Sequence, residues 1–281
     1  MASIKDKLLA IGAALAYPQV RLKPAITKEH FSGKWVLVTG ASHGIGRALT
    51  EKLIDADANV FLIARSEAEL QCLCDRAKQR GNCADYCAID LRDREKLELL
   101  CQKLKETLPQ LDYFFCNAGK SIHRKITDAL DRLHDYDRTI DLNYRALVAL
   151  SLTLLPALKA SKGSIIYSSS VSTRYPMAPG WSAYHASKCA ANTWCETANS
   201  EFAPLGVRVQ IAYLPLVHTA MSDVNERYRQ LPAYYPADAA NILLRLAIRK
   251  GKRYQPWWAK LSAPIAYLFA PIVHLFYKRM V

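Results

Sequence analysis

The sequence predicts a doubly wound α/β fold, a parallel sheet with helices on both faces. Three observations carry that expectation. From residue 34 onward, short apolar runs of five to seven residues alternate with amphipathic stretches of helical period. The apolar runs are continuous rather than alternating, as strands buried on both faces must be. The first run leads through closely spaced glycines into a helical stretch, a strand–turn–helix corner.

Taken in order, the strands fall at 35–39, 59–64, 84–89, 111–116, 164–168 and 207–213. Helices fall at 45–57, 66–80, 93–107, 131–159 and 182–202. No linker divides this stretch. The reading is one domain over 32–250, an N-terminal extension over 1–31 and a distinct segment over 251–281.

Composition narrows the function. The 281 residues are 51% hydrophobic and 22% charged, which excludes disorder as the main state and a multi-span membrane protein. No short internal period marks a solenoid. The formal charge of +13 calls for an anionic partner: a phosphate-rich cofactor, an anionic membrane surface or nucleic acid. The late positive charge brackets aromatic and aliphatic residues and no nucleic-acid motif occurs, so the membrane surface is preferred to nucleic acid. Eight cysteines show no Cys-x-x-Cys pair and no histidine at finger spacing. They read as reduced, buried thiols, with no metal site.

Both termini carry membrane signals. Ile4, Leu8, Ile11 and Leu15 recur at helical spacing beside Lys5 and Lys7, an amphipathic helix. It also resembles a short signal peptide, but an attached helix is the preferred reading. No Asp or Glu follows Asp238, while Arg245, Arg249, Lys250, Lys252, Arg253, Lys260, Lys278 and Arg279 are basic. The 21 residues of 257–277 would reach about 30 Å as one helix, a bilayer's width. Lys260, Pro264, Pro271 and His274 interrupt it, so a segment lying on the cytoplasmic side of a membrane is preferred to a span or a soluble lid.

The chemistry begins at Thr39-Gly-Ala-Ser-His-Gly-Ile-Gly46. Gly40, Gly44 and Gly46 let a backbone approach a pyrophosphate, and the helix behind them presents free N–H groups. Ser42, His43 and Ile45 complete the loop. At the end of the second strand a carboxylate would select NAD; here Ala64 is followed by Arg65, a guanidinium suited to a 2′-phosphate, with His43 placed to assist. This argues for NADPH/NADP+. Tyr184 and Lys188 stand four apart on one helix face. A nearby ammonium favours the phenolate and lowers the tyrosine pKa, so the pair can move a proton at a carbonyl or alcohol oxygen. Ser168, Ser169 and Ser170 end a strand, and Asn143 lies on the long helix.

These motifs together resemble the classical short-chain dehydrogenases/reductases over residues 33 to about 225. The resemblance rests on the glycine loop, Asp90-Leu91, Asn117-Ala118-Gly119, Asn143, Ser168–Ser170 and Tyr184-x3-Lys188. It implies a Rossmann sheet of about seven strands and a tetrad of Asn143, Ser170, Tyr184 and Lys188. In that family Tyr is the acid/base, Ser holds the substrate oxygen, Lys holds the ribose and lowers the Tyr pKa, and Asn keeps a water beside Lys. Asp90 and Leu91 would flank the adenine, Asn117 would lie by the cofactor with Ala118 and Gly119, and Thr219 would reach the nicotinamide carboxamide. The Ser170–Tyr184 interval is one residue longer than usual, which leaves Ser169 as an alternative to Ser170. The usual Pro-Gly after the sixth strand reads Leu214-Pro215.

Residues 117–124, 131–144, 215–221 and 261–271 are similar to the short-chain fatty acyl-CoA reductases, NADPH enzymes that make fatty aldehydes. The implied substrate is a long-chain acyl-CoA, with Lys120, Arg124 and Lys125 holding CoA phosphates or simply forming a solvated basic loop. A lipid 3-ketone such as a ketosphinganine or a sterol ketone fits the same tetrad. A non-catalytic NADPH-binding scaffold is the alternative of another class. The family also implies a homo-oligomer through the helices at 131–159 and 182–202.

Overall fold

A computed structural model describes residues 12–223 and 226–279. Seven strands form one sheet: β1 (Trp35–Thr39), β2 (Asn59–Ala64), β3 (Ala84–Ala88), β4 (Tyr113–Cys116), β5 (Ser164–Ser170), β6 (Arg208–Leu214) and β7 (Arg253–Tyr254). Their order is β3-β2-β1-β4-β5-β6-β7, and every neighbouring pair is parallel. The order reverses between β1 and β4, the switch point where open α/β sheets form a crevice.

Alternate residues of each strand feed two cores. Val36 and Val38 of β1, Val60 and Leu62 of β2 and Phe115 of β4 point to one face. That face is covered by α2 (Gly44–Asp55), α3 (Glu67–Gln79) and α9 (Pro236–Arg249), through Leu49, Leu53, Leu73 and Leu243. Leu37, Phe61, Ile63 and Phe114 point the other way. They meet α4 (Arg94–Thr107), α6 (Ala146–Ser161) and α7 (Ser182–Phe202), through Leu97, Leu100, Leu150 and Cys195. Burial on both faces explains why the strands lack a polar alternation.

The chain departs from the expected boundaries in three places that matter. β5 runs on to Ser170, two residues past its expected end, so that residue is held in the sheet. The expected helix over 131–159 is α5 (Leu133–Ile140), a π-helical segment at Asp141–Arg145, and then α6. The π segment carries Asn143; such one-turn widenings re-aim side chains at functional sites, and periodicity alone does not reveal them. The sheet also runs past residue 250, because β7 lies at 253–254.

The expected amphipathic helix at residues 4–15 lies mostly outside the described residues; residues 12–16 are helical. The chain then crosses to α9, where Asn241 Nδ2 donates to the Val20 carbonyl at 2.6 Å and Arg245 to the Arg21 carbonyl at 2.6 Å. α1 (Pro24–Phe31) ends by burying Phe31 completely. At the other terminus α10 (Trp257–Leu268) and α11 (Ala270–Lys278) meet at 81°. Among the described residues no single helix is long and apolar enough to cross a membrane, and only this bent pair reaches that length and composition together.

Candidate active site

A cleft of about 1770 Å³ opens at the carboxyl ends of the strands. It exceeds the roughly 300–1,000 Å³ of a small-molecule pocket, leaving room for an extended ligand beside a second one. One end is the glycine loop. Ser42, His43, Gly44 and Ile45 line it, and α2 starts there with no side chain capping its first N–H groups. Gly40 and Gly44 have φ of +69° and +55°, a region that favours glycine. A Cβ on Gly46 would lie 2.0 Å from the Gly40 carbonyl oxygen, and one on Gly40 would lie 3.0 Å from Ala118 Cα. The loop is therefore folded tightly on itself and on the β4 end, which leaves the uncapped N–H groups of α2 at the cleft.

The floor follows the next strand ends. Arg65 is exposed at the cleft edge after β2. Asp90 and Leu91 line the cleft after β3, and Asp90 is held by Arg92, whose Nη2 lies 2.5 Å from Oδ2. That guanidinium, with Arg65 adding to it, keeps the Asp90 carboxyl below the usual carboxylate range. Asn117 and Ala118 both donate backbone N–H to Thr39 Oγ1 at 3.1 Å, tying the β4 end to the β1 end. Gly119 lies against Asn143 and Lys188. Thr219 closes the loop after β6 over Gly44, 3.2 Å from where its Cβ would be.

The other end of the cleft gathers the polar side chains. Asn143 is buried and clamps Lys120 in both directions: its Oδ1 accepts from Lys120 N at 2.8 Å and its Nδ2 donates to Lys120 O at 2.9 Å. Lys188 Nζ donates to the Ser168 carbonyl at 2.8 Å and sits over the Tyr167 ring. Burial pushes the Lys188 ammonium down to about 8. Tyr184 and Ser170 both line the cleft; burial raises the Tyr184 pKa, and the Ser170 hydroxyl opposes the rise. The sequence argument expected Lys188 to lower the tyrosine; here burial dominates, and the ammonium is directed at Ser168 and Tyr167.

The strand's two-residue period separates the serines. Ser170 faces Tyr184, whereas Ser169 Oγ donates to Asn192 Oδ1 at 2.6 Å in the packed interior. Ser169 is thus committed elsewhere. Of the basic loop, Lys120 lines the cleft. Arg124 and Lys125 line a separate small hollow, where Arg124 Nε pairs with the buried Asp135 at 3.0 Å.

The family model described as short chain dehydrogenase matches residues 34–229, a span that supplies most of the cleft's lining. The chain belongs to that family. It is an oxidoreductase of the short-chain dehydrogenase type. It is 33% identical to a fatty acyl-CoA reductase of Acinetobacter baylyi, over 89% of this chain and 84% of that one. A fatty acyl-CoA reductase of Mycobacterium tuberculosis is also 33% identical, over 85% and 82%. Among solved structures, a short-chain dehydrogenase from Sphingobium yanoikuyae in complex with NADPH superposes with a TM-score of 0.74 at 23% identity, covering 86% of this chain and 95% of that one.

Within this short-chain dehydrogenase the structure adds residues that sequence reasoning passed over. Ser172 Oγ lies 2.8 Å from Ser170 Oγ and 3.1 Å from His185 Nε2, a hydroxyl chain behind Ser170. Burial lowers the His185 pKa, and its Nδ1 has no partner among the described residues. Trp181 stacks on Tyr228 and meets Tyr184 edge-on, an aromatic wall beside the phenol. The only signal for these in the text was closeness to Ser170 and Tyr184, which does not say which neighbours point inward.

Proposed function

We propose that this protein is an NADPH-dependent reductase of a long-chain lipid carbonyl, with fatty acyl-CoA as the substrate and fatty aldehyde as the product. The observation that carries the proposal is the convergence of Ser170, Tyr184, Lys188 and Asn143 at one end of a cleft whose other end is an anion-binding glycine loop. The loop fits a dinucleotide phosphate: α2 offers its uncapped donors at the cleft, and the close packing of Gly40 and Gly46 against the loop's own backbone and Ala118 holds that turn in place. Arg65, with no carboxylate at the β2 end, favours a 2′-phosphate. Two relatives named fatty acyl-CoA reductase and a structural neighbour holding NADPH support the same reading.

When bound, the dinucleotide supplies hydride to the carbonyl carbon. Ser170 holds the carbonyl oxygen, and Tyr184 gives it a proton, leaving a hemithioacetal from the thioester. Loss of the hydroxyl proton and cleavage of the C–S bond then release aldehyde and CoA thiol. Lys188, anchored on the Ser168 carbonyl, would hold the ribose of the dinucleotide, and Asn143 orders the Lys120 backbone at that end of the cleft. Lys120 and Arg229, both on the cleft wall, face the anionic part of the substrate. The family resemblance extends the proposal to a homo-oligomer through the outer faces of α5–α6 and α7.

A second reading stays close behind for one reason: Arg124 and Lys125 line a different hollow, which weakens the case for a CoA-phosphate loop. A lipid 3-ketone would need only Ser170, Tyr184 and the apolar wall. NADPH oxidation by detergent-solubilised protein decides between them. Palmitoyl-CoA should yield aldehyde and free CoA; turnover of 3-ketosphinganine alone would move the assignment to the ketone.

A further inference from the structure

The tail turns the wrong face outward for a soluble surface. On α10 the buried stripe is Ala259 and Ala263, four apart, while Leu261, Ile265 and Leu268 are 56–75% exposed. Beyond the bend, Phe269, Ile272 and Phe276 are 50–64% exposed. An ordinary surface helix buries its large apolar residues and shows its small and polar ones. Here small residues face the body, and the large ones form a continuous outer patch around an 81° corner. The charge of the segment has one sign. Lys252, Arg253, Lys260, Lys278 and Arg279 of the segment are exposed, and no acidic residue follows Asp238 in the sequence to offset them.

The patch is tied to both sides of the cleft mouth. Tyr267 Oη donates to the Tyr175 carbonyl at 3.2 Å, Tyr277 Oη donates to the Pro176 carbonyl at 3.3 Å, and the Tyr175 and Ser262 hydroxyls meet at 2.6 Å. Tyr175 and Pro176 belong to the run between Ser170 and Tyr184, of which Ser172, Ala178 and Trp181 line the cleft. On the other side the Trp257 and Trp258 indoles donate to the Leu15 and Ala16 carbonyls at 2.9 and 3.0 Å. The next residue, Tyr17, lines the cleft.

We propose that α10 and α11 form a monotopic docking platform for an anionic phospholipid surface, clasped to the cleft mouth so that a lipid-borne carbonyl enters the site from the bilayer. Basic charge together with exposed aliphatic and aromatic side chains is the chemistry that such a surface recognises. The corner lies at the interface with its large side chains among the acyl chains, and the exposed lysines and arginines meet the phosphates. The entry route rests on the lipid-carbonyl reading above; the docking itself does not.

The test is flotation of the full chain with vesicles, which needs no substrate. The protein should float with phosphatidylcholine vesicles containing phosphatidylglycerol. It should float less with phosphatidylcholine alone, and less at high salt. The combined variant Leu261→Ser, Ile265→Ser, Leu268→Ser and Ile272→Ser should lower partition about a hundredfold. NADPH binding and thermal melting report whether that variant is folded. Lys260→Glu with Lys278→Glu and Arg279→Glu is the second variant; it should remove the preference for phosphatidylglycerol while leaving the apolar face intact. Absence of flotation by the full chain, or undiminished flotation by a folded serine variant, overturns the proposal. Self-association abolished by the serine variant, with no vesicle binding, assigns the face to a second copy and also overturns it. For the entry route, turnover of a long-chain thioester carried in vesicles should fall in the serine variant while turnover of a short soluble thioester is kept. Equal loss of both would sink the entry route and leave the docking result standing.

Discussion

Ser169 and Ser170 are adjacent in sequence and opposite in consequence. Ser170→Ala removes the hydroxyl that meets Tyr184 and should cut turnover by about 10²-fold with NADPH binding kept. Ser169→Ala removes the donor to Asn192 and should leave turnover near normal while costing about 1 kcal/mol of stability in denaturant titration. The reverse pattern would give the substrate oxygen to Ser169. Lys188 sets the pH behaviour. Burial lowers it to about 8, so its charge is present below that pH and lost above it. Tyr184, raised by burial, stays protonated across the same interval. Reductive kcat/KM should therefore be level up to about pH 8 and decline beyond it. A profile with no break until tyrosine itself ionises would separate Lys188 from the reaction.

At the scale of elements, the glycine corner and the π segment impose opposite demands. The corner must be tight: Gly46→Ala would push a methyl into the Gly40 carbonyl, and NADPH binding should be lost in a fluorescence titration even where the chain still folds. The β2 end selects between dinucleotides. Arg65→Ala should raise the NADPH dissociation constant roughly tenfold to a hundredfold and change NADH little, because one charge-assisted contact to a phosphate is lost. Equal weakening would place the 2′-phosphate elsewhere. The π segment instead widens a helix by one residue, which turns Asn143 onto the Lys120 backbone. An unbroken α-helix from 133 to 161 would shift the register of every later side chain.

Across the whole molecule the two termini meet far from each other in sequence. Trp257 and Trp258 hold the helical residues 12–16, and Asp238 and Asn241 hold Val20. Trp257→Phe with Trp258→Phe removes both indole donors, each worth about 1 kcal/mol, and should speed amide exchange in residues 13–22 without changing exchange in the sheet. Unaltered exchange there would mean that the α9 contacts alone fix the N-terminal segment. The same clasp explains why a basic, apolar tail does not hang free of the domain: its anchor points are backbone carbonyls beside the cleft.

The sequence by itself determined the doubly wound parallel sheet, because strands buried on both faces must be continuously apolar and the helices between them must be amphipathic. It determined the glycine corner and the placing of Tyr184 and Lys188 on one helix face, because a helical turn brings residues four apart to the same side. Tertiary structure alone decided which serine faces Tyr184, since the end of β5 sets the phase of the side-chain alternation and an apolar count cannot. It decided that Arg124 is tied to Asp135 rather than turned to the cleft, and that Lys188 is desolvated, because both depend on partners distant along the chain. It also decided that residues 257–278 bend and pack through alanines, since a helix's exposed face is defined only by what covers the other one.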